Sequence, residues 1–188
     1  MADLLYLSND EVADLADMPA FVDAVRRAYR AFGDGGRLGD EDKLFAESPE
    51  GMLMYYGAVL PGEGVAGAFV YWTGFERGEG WFLTVLADAE TGEPLAIVDS
   101  PGINPYKTGA TGGVGADALA REDASEAAFI GTGPQAAYQL LALDHVRELD
   151  AVRAFSPTPD HRESFARRMD GRFAADVRAV DSASASNW

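Results

Sequence analysis

The sequence E-A-A-F-I-G-T-G-P-Q-A-A at Glu126–Ala137 joins a short apolar segment to a glycine-rich turn. Ala127–Ile130 is typical of a buried strand, and Gly131-Thr132-Gly133 then leads into a predicted helix. In the dinucleotide-binding fingerprint G-x-G-x-x-G/A, the first glycine permits the tight turn and the second lets the backbone approach a pyrophosphate. The helix directs its positive end at that anion. Ala136 takes the third glycine position, as the fingerprint allows.

The segments after this turn fit the same interpretation. We predict a helix over Gln135–Arg147 and a second strand over Val152–Phe155, which completes a βαβ unit within about 30 residues. A further helix from Thr158-Pro159 to about Met169 and a third strand over Ala174–Val180 follow. Taken alone, the glycine motif also fits a loop with two turn glycines. In this context it predicts the first half of a Rossmann domain.

The segment between Lys43 and Ser100 has a different character. Glycine-containing turns separate successive β-rich runs, which predicts an antiparallel meander. The predicted strands are Met52–Val59, Val65–Trp72, Trp81–Ala87 and Leu95–Val98. Two architectures in one chain imply two folding units. The predicted fold class is therefore α/β: an α+β N-terminal domain with a mostly antiparallel sheet, followed by the first half of a Rossmann domain.

Helix signals precede and follow the meander. Ser8-Asn9-Asp10-Glu11 is a capping box that opens a short helix to about Ala16. Residues 19–32 carry an apolar face that we expect to pack on a sheet. Asn104–Arg121 contains glycines that disfavour a helix by about 1 kcal/mol each, so a helix there requires close packing of its Gly/Ala side. We place domain boundaries at 1–103 (N-terminal domain), 104–121 (connecting helix) and 122–188 (partial nucleotide-binding domain).

The charge composition narrows the classes of partner. The chain has 31 acidic and 15 basic residues, a formal net charge of −16, and only two lysines, Lys43 and Lys107. Such a charge disfavours nucleic acids and anionic membranes as partners. No apolar run reaches a membrane-spanning length, and the N-terminus lacks the basic flank of a secretory signal. The composition is typical of a cytoplasmic protein from a salt-accumulating halophile; an ordinary acidic cytosolic protein is the alternative.

Three groups of residues together resemble one enzyme family. They are Lys107-Thr108-Gly109-Ala110, Leu119-Ala120-Arg121-Glu122-Asp123-Ala124 and Ile130-Gly131-Thr132-Gly133-Pro134-Gln135-Ala136. They resemble the ornithine cyclodeaminase/mu-crystallin family of NAD(P)-dependent proteins, and the likeness extends from Leu5 to about Ser184. The resemblance implies a substrate and dimerisation domain followed by a Rossmann domain. It also implies hydride transfer between nicotinamide and the α-carbon of a small amino or imino acid, in some members with loss of ammonia.

The resemblance also implies roles for individual residues. Pyrophosphate would be held by Gly131, Thr132, Gly133, Pro134 and Gln135, with Thr108 nearby. Lys107 stands where the family has an arginine, and Lys43 stands near an arginine that holds the substrate carboxylate. Neither exchange is neutral, because lysine offers a point charge where arginine offers a bidentate fork. No metal site is expected, since the sequence has no cysteine and its two histidines form no ligand motif.

The sequence departs from the family in two respects. Family enzymes carry a catalytic lysine in the segment matching Val65–Thr73, but here that segment is V-A-G-A-F-V-Y-W-T and contains no lysine. Unless Glu76 or Arg77 intrudes from the turn, the site has therefore lost its ammonium group. Family members are also well over 300 residues long, so the second mononucleotide half and an aspartate beyond it lie outside the 188 residues. We therefore expect a C-terminally truncated member with impaired or absent activity. The alternatives are a non-catalytic cofactor- or ligand-binding relative and a truncated gene product without independent function.

The choice between NAD and NADP stays open at this stage. The second predicted strand is followed by Ser156-Pro157-Thr158, so the acidic residue that usually binds the ribose 2′-hydroxyl is absent. Ser156 offers a substitute for it, and Arg162 offers a contact for a 2′-phosphate. Alternatively, Ser156 and Thr158 cap a helix and Arg162 lies on a solvated face.

The meander also predicts how subunits associate. We expect an aromatic-rich face to bury part of its surface in a homodimer, as in the family. The residues assigned to this face are Tyr55, Tyr71, Trp72, Trp81 and Phe82.

The charge generates a prediction about salt. Because unscreened acidic residues repel one another, the fold should loosen below roughly 0.5 M salt and tighten above it, where the Debye length approaches about 3 Å. Thermal melts followed by circular dichroism between about 0.1 and about 3 M KCl measure how the unfolding midpoint depends on salt. A midpoint that does not depend on salt would contradict the halophilic interpretation.

Overall fold

The computed structural model describes residues 4–34, 37–38, 44–76 and 80–183, and the chain divides into two compact units. The first unit contains Met1–Ala16 and Arg26–Asn104, and the second contains Asp17–Val25 and Pro105–Trp188. The mixed α/β fold class predicted from the sequence is confirmed. Within the described part of the chain, no helix has the length and apolar character needed to cross a bilayer.

The first unit is built on one sheet of seven described strands. They are β1 (Leu5–Leu7), β2 (Arg37–Leu38), β3 (Leu44–Ser48), β4 (Gly51–Leu60), β5 (Val65–Thr73), β6 (Trp81–Asp88) and β7 (Pro94–Asp99). The order is β1-β7-β6-β5-β4-β2, and β3 also pairs with β4. Strands β4 to β7 form the predicted antiparallel meander. The strands β1, β2 and β3 were not predicted, and β1 runs parallel to β7.

Helix α1 (Asn9–Leu15) begins at the predicted capping box. The Ser8 hydroxyl donates to Glu11 Oε2 at 2.7 Å and accepts from the Glu11 amide at 3.4 Å. This hydroxyl contact is the main reason that the pKa of Glu11 lies below its usual value, and the Ser8 backbone amide adds to the effect. Val12 on α1 packs with Ala96 and Val98 of β7 in the core of the first unit.

Exposed large apolar side chains are more numerous on one face of this sheet, although Leu5 and Phe45 on the face toward α1 are also about half exposed. On the face that packs against α1, aromatic rings on β4, β5 and β6 contact one another in series in tilted orientations, with centroid distances of 5.3, 5.8 and 4.6 Å between neighbours. The other face, which we call the open face, carries large apolar side chains that are each at least about a third exposed. These residues are Tyr6, Leu44, Leu53, Tyr55, Val59, Trp81 and Val85.

The strand pairing corrects the aromatic face predicted from the sequence. Adjacent residues of a strand point to opposite faces, so Tyr71 and Trp72 cannot share one, nor can Trp81 and Phe82. Tyr71 and Phe82 contact each other on the α1 side, with ring centroids 4.6 Å apart. The cross-strand partners Trp72 and Trp81 belong to the open face, as does Tyr55.

The second unit contains a three-stranded parallel sheet in the order β10-β9-β8. Its elements are α3 (Ile103–Leu119), β8 (Glu126–Ile130), α4 (Pro134–Val146), β9 (Ala151–Phe155), α5 (Pro159–Met169) and β10 (Asp176–Ala179). The sequence β8-α4-β9-α5-β10 is the predicted first half of a Rossmann domain. Its core joins Leu140 of α4, Val152 of β9 and Phe165 of α5, all fully buried.

Helix α2 (Met18–Gly33) contradicts the expectation that its apolar face packs on a sheet. Met18 and Val22 pack with Ala110 of α3 and Ala142 of α4, which are helical residues. Further along the same helix, Tyr29 and Phe32 are about half exposed. The periodicity identified the helix but did not reveal which partner its face meets.

Helix α3 forms despite its glycines because it packs closely on α4. A Cβ on Gly109 would lie 2.5 Å from the carbonyl oxygen of Tyr138, and one on Gly113 would lie 2.8 Å from the Ala142 side chain. Gly109, Ala110 and Gly113 are its buried residues. The expectation that the Gly/Ala side is the packed side is confirmed.

This contact predicts opposite effects for two glycine substitutions in one helix. Gly109→Ala should destabilise the protein by about 1–3 kcal/mol, because its new methyl group overlaps backbone. Gly115→Ala should stabilise it by up to about 1 kcal/mol through helix propensity, because its Cβ meets nothing within 4 Å. Urea unfolding in KCl measures the free energy of unfolding of both variants and of the wild-type chain. Equal stability of the two variants would refute the close packing of α3 on α4.

Candidate functional site

The glycine turn after β8 has a backbone that favours glycine. Gly131 has φ of 107°, a region that side-chain-bearing residues rarely adopt. Its amide donates to the carbonyl oxygen of Phe155 at 2.8 Å. The turn is thereby fixed beside the carboxyl end of β9, so the first two strands of the parallel sheet end next to each other.

Helix α4 begins in a way that suits an approaching anion. Gly133 is its N-cap in an extended conformation, Pro134 follows, and no side chain caps the helix. A Cβ on Gly133 would meet nothing within 4 Å, so the space in front of the helix is open. The amide dipoles of a 13-residue helix place a partial positive charge at this point. The turn therefore offers backbone donors to a negatively charged group.

Two side chains of the turn have buried polar atoms without a hydrogen-bond partner among the described residues. They are the Thr132 hydroxyl oxygen and Oε1 of Gln135. Thr132 is 9% exposed, and an unsatisfied buried hydroxyl costs about 1–3 kcal/mol. The hydroxyl can donate to a phosphate oxygen, and the amide oxygen can accept from a sugar hydroxyl. The turn therefore fits the phosphate and ribose groups of a dinucleotide.

A groove of about 530 Å³ extends from this turn. Residues of β8, α3 and α4 line it, and most are small or apolar. The residues beyond the turn itself include Gly112, Ala116, Ala128, Ile130, Gln139 and Leu143. Four of the five predicted pyrophosphate residues, Gly131, Gly133, Pro134 and Gln135, line one end of this groove, whereas Thr132 lies between them without lining it.

Two predicted site residues lie on α3, and one lies outside the described residues. Lys107 and Thr108 are half-buried in the first half of α3. Helix α3 runs alongside α4 in the same direction, because Gly109 faces Tyr138 and Gly113 faces Ala142. Lys107 and Thr108 therefore lie toward the end of the helix pair at which α4 begins. Lys43 falls outside the described residues, as does Arg77.

The carboxyl end of β9 carries the candidate ribose contacts. Ser156 directly follows the strand and is buried, and Thr158 is the N-cap of α5, although its side chain makes no capping bond. Arg162 is also buried: its Nη1 donates to the Ser156 carbonyl oxygen at 3.0 Å, and its Nη2 donates to Asp181 Oδ1 at 2.6 Å. Asp181 was not singled out from the sequence, because a pairing across 19 residues leaves no local pattern.

Strand β5 holds aromatic side chains in the segment that the family resemblance matches to a catalytic lysine. Phe69 contacts the rings of Tyr56 and Phe82, and Tyr71 contacts Phe82. The strand is half-buried throughout and contains no ionisable ammonium group. Its aromatic residues pack within the sheet.

Comparison with known proteins gives a family match over nearly the whole chain. The sequence model of the ornithine cyclodeaminase/mu-crystallin family matches residues 5–186. The chain is 32% identical to an alanine dehydrogenase of Archaeoglobus fulgidus over 192 aligned residues, which cover 96% of this chain and 57% of that protein. The chain thus spans a little over half the length of this relative.

Solved structures agree with the sequence comparison. An archaeal alanine dehydrogenase dimer with bound NAD aligns with a TM-score of 0.86 at 30% identity, covering 97% of this chain and 57% of that one. The Thermococcus litoralis delta(1)-pyrroline-2-carboxylate reductase, solved with NADH and L-proline, aligns with a TM-score of 0.82 at 26% identity, covering 96% and 58%. The family resemblance is confirmed, and the expected cofactor class, NAD or NADP, is confirmed for these relatives.

Proposed function

Because the chain belongs to the ornithine cyclodeaminase/mu-crystallin family, we propose that it binds NAD or NADP through the glycine turn after β8. The proposed type is an amino-acid or imino-acid deaminase or dehydrogenase. When bound, the nicotinamide exchanges a hydride with the α-carbon of a small amino or imino acid. The observation that carries the proposal is the Thr132 hydroxyl, which is buried beside an uncapped helix start and has no partner among the described residues.

The proposed roles of individual residues rest on the family resemblance and, for the described residues, on their positions. Gly131, Thr132, Gly133, Pro134 and Gln135 hold the pyrophosphate and the adjoining sugar, with Thr108 nearby on α3. Ser156 contacts the adenosine ribose from the end of β9. On the family resemblance alone, Lys107 and Lys43 are the proposed contacts for the substrate carboxylate. Each of these two lysines supplies one positive charge without the two-pronged geometry of arginine.

The proposed organisation assigns residues 1–103 to substrate binding and dimerisation, 104–121 to a connecting helix and 122–188 to nucleotide binding. We place the protein in the cytoplasm of a salt-accumulating cell, a proposal that rests on the acid-rich composition. Neither nucleic acid nor a membrane surface is proposed as a partner, because the net charge of −16 repels both.

We propose further that catalysis by this chain is impaired. A general acid–base group typically contributes about 10²–10⁴-fold to a rate, and β5 offers aromatic packing where the family has an ammonium group. The same observation supports a second candidate function, a non-catalytic relative that binds the cofactor or a small ligand. Detectable nucleotide binding without turnover distinguishes this second function from an active enzyme.

The proposal predicts nucleotide binding with no measurable ornithine cyclodeaminase turnover. Titration of the 188-residue chain with NADH and NADPH in about 2–3 M KCl, followed by nucleotide fluorescence, should give weak saturable binding. Thr132→Val should weaken binding by about tenfold, because the donor to phosphate is lost. Apo stability of this variant should be unchanged or higher, because no buried hydroxyl is left unpaired.

Two backbone variants serve as controls for this experiment. Gly131→Ala strains a residue at φ of 107°, and Gly133→Val fills the space in front of α4. Both should abolish binding. If both variants still bind nucleotide as tightly as the wild-type chain, the glycine turn is excluded as the binding site. Proline and ammonia release from ornithine well above these controls would overturn the proposed loss of activity.

We also propose that the chain forms a homodimer through the open face. A sheet face with this much exposed apolar surface is typical of an interaction site. A second copy is the proposed occupant, because the archaeal alanine dehydrogenase that aligns over 97% of this chain was solved as a dimer. The face also retains aromatic residues, Tyr55 and Trp81, which are enriched at interfaces.

The dimer proposal predicts a species of about 40 kDa in high salt, twice the chain mass of 20.0 kDa. Light scattering gives the mass directly. Val85→Glu places a charge on the open face and should yield the monomer, whereas the matched change Leu119→Glu, on a residue 88% exposed in α3, should leave the dimer intact. A wild-type chain that scatters only as a 20.0 kDa species would reject the interface.

A further inference from the structure

The ion pair between Arg162 and Asp181 lies beside the carboxyl end of β9, where Arg162 also bonds to the Ser156 carbonyl oxygen. These cofactors differ by a phosphate on the adenosine ribose, and Rossmann proteins recognise that difference beside the end of the second strand. Here the end of β9 is tied to the glycine turn by the hydrogen bond from the Gly131 amide to Phe155. The ribose of a nucleotide whose pyrophosphate is held at Gly131 would therefore lie near Ser156 and the turn before α5.

Arg162 supplies the positive charge at this turn, and it is already engaged. Its side chain is 11% exposed, with one guanidinium nitrogen on the Ser156 carbonyl oxygen and another on Asp181. Asp181 is 95% exposed, so it holds the arginine from the solvent side. A 2′-phosphate would have to displace this carboxylate to reach the guanidinium.

The remaining charge near the turn is unfavourable for a phosphate. Asp160 is exposed in the first turn of α5, next to the N-cap Thr158. With Arg162 neutralised by Asp181, Asp160 leaves a net negative charge at the turn. A 2′-phosphate adds about −1.5 to −2 charges at neutral pH, whereas a 2′-hydroxyl adds none. The hydroxyl can also bond to polar groups such as those at Ser156 and Thr158.

From this geometry we propose that the Arg162–Asp181 pair makes the chain selective for NAD(H) over NADP(H), with Asp181 as the residue that sets the preference. This inference rests on the proposed nucleotide binding at the glycine turn. Asp181 acts through Arg162 and not on the cofactor itself, so it is a positioning residue.

The test measures two dissociation constants for each of three proteins in about 3 M KCl, where long-range charge effects are screened to about 3 Å. The wild-type chain should bind NADH at least about tenfold more tightly than NADPH. Asp181→Asn removes the charge that neutralises Arg162, and it should tighten NADPH binding by about tenfold with little change for NADH. Asp160→Asn removes an exposed carboxylate that is not paired with Arg162, and because salt at this concentration screens its charge, it should change the ratio by less than about threefold.

The outcomes separate this inference from the proposed function. A wild-type chain that binds NADPH as tightly as NADH overturns the inference and leaves nucleotide binding in place. An unchanged ratio in Asp181→Asn, or an equal gain in Asp160→Asn, rejects the role of Asp181. Binding of neither nucleotide by the wild-type chain overturns the proposed function itself. Asp181 is almost fully exposed, so its substitution should not prevent folding, and circular dichroism verifies this.

Discussion

The close approach of α3 to α4 is the constraint on which the second unit depends. Gly109 and Gly113 allow backbone and small side chains to meet where any larger residue would overlap. Ala110 and Ala142 then close one core together with Met18 and Val22 of α2. This core holds α4 from one side, while Leu140 anchors it to the sheet from the other. The start of α4, and the glycine turn before it, are thereby held in a fixed position.

The local features of the fold were predictable from the sequence because short-range chemistry determines them. The capping box at Ser8, the meander turns and the strand-to-helix turn at Gly131 each depend on residues close together in the chain. The features that were missed depend on distant partners. Strand β1 is recognisable only through its pairing with β7, and the packing of α2 on α3 and α4 depends on residues more than eighty positions away along the chain.

The candidate site also has some features that the sequence predicts and others that depend on distant partners. Gly131 could be selected because its positive φ gives glycine a backbone reason that a pattern captures, and Gly133 because the fingerprint requires open space there. Arg162 was recognised as a cation beside the second strand, but its pairing with Asp181 could not be inferred from spacing. In a chain with 31 acidic residues, one further aspartate carries no signal until the structure gives it a neighbour. The electrostatic partners are therefore the part of this site that is hardest to predict from the sequence.

The parallel pairing of β1 with β7 has a consequence for the order of folding. Strands β4 to β7 are joined by short turns, so each hairpin closes a small loop at little entropic cost. Strand β1 meets Ala96 and Ile97 of β7 only after nearly the whole first unit has been spanned. Contacts of such long range form slowly, because their closure entropy is lost before the contact stabilises the chain. We therefore expect the meander to form first and β1 to join a sheet that already exists.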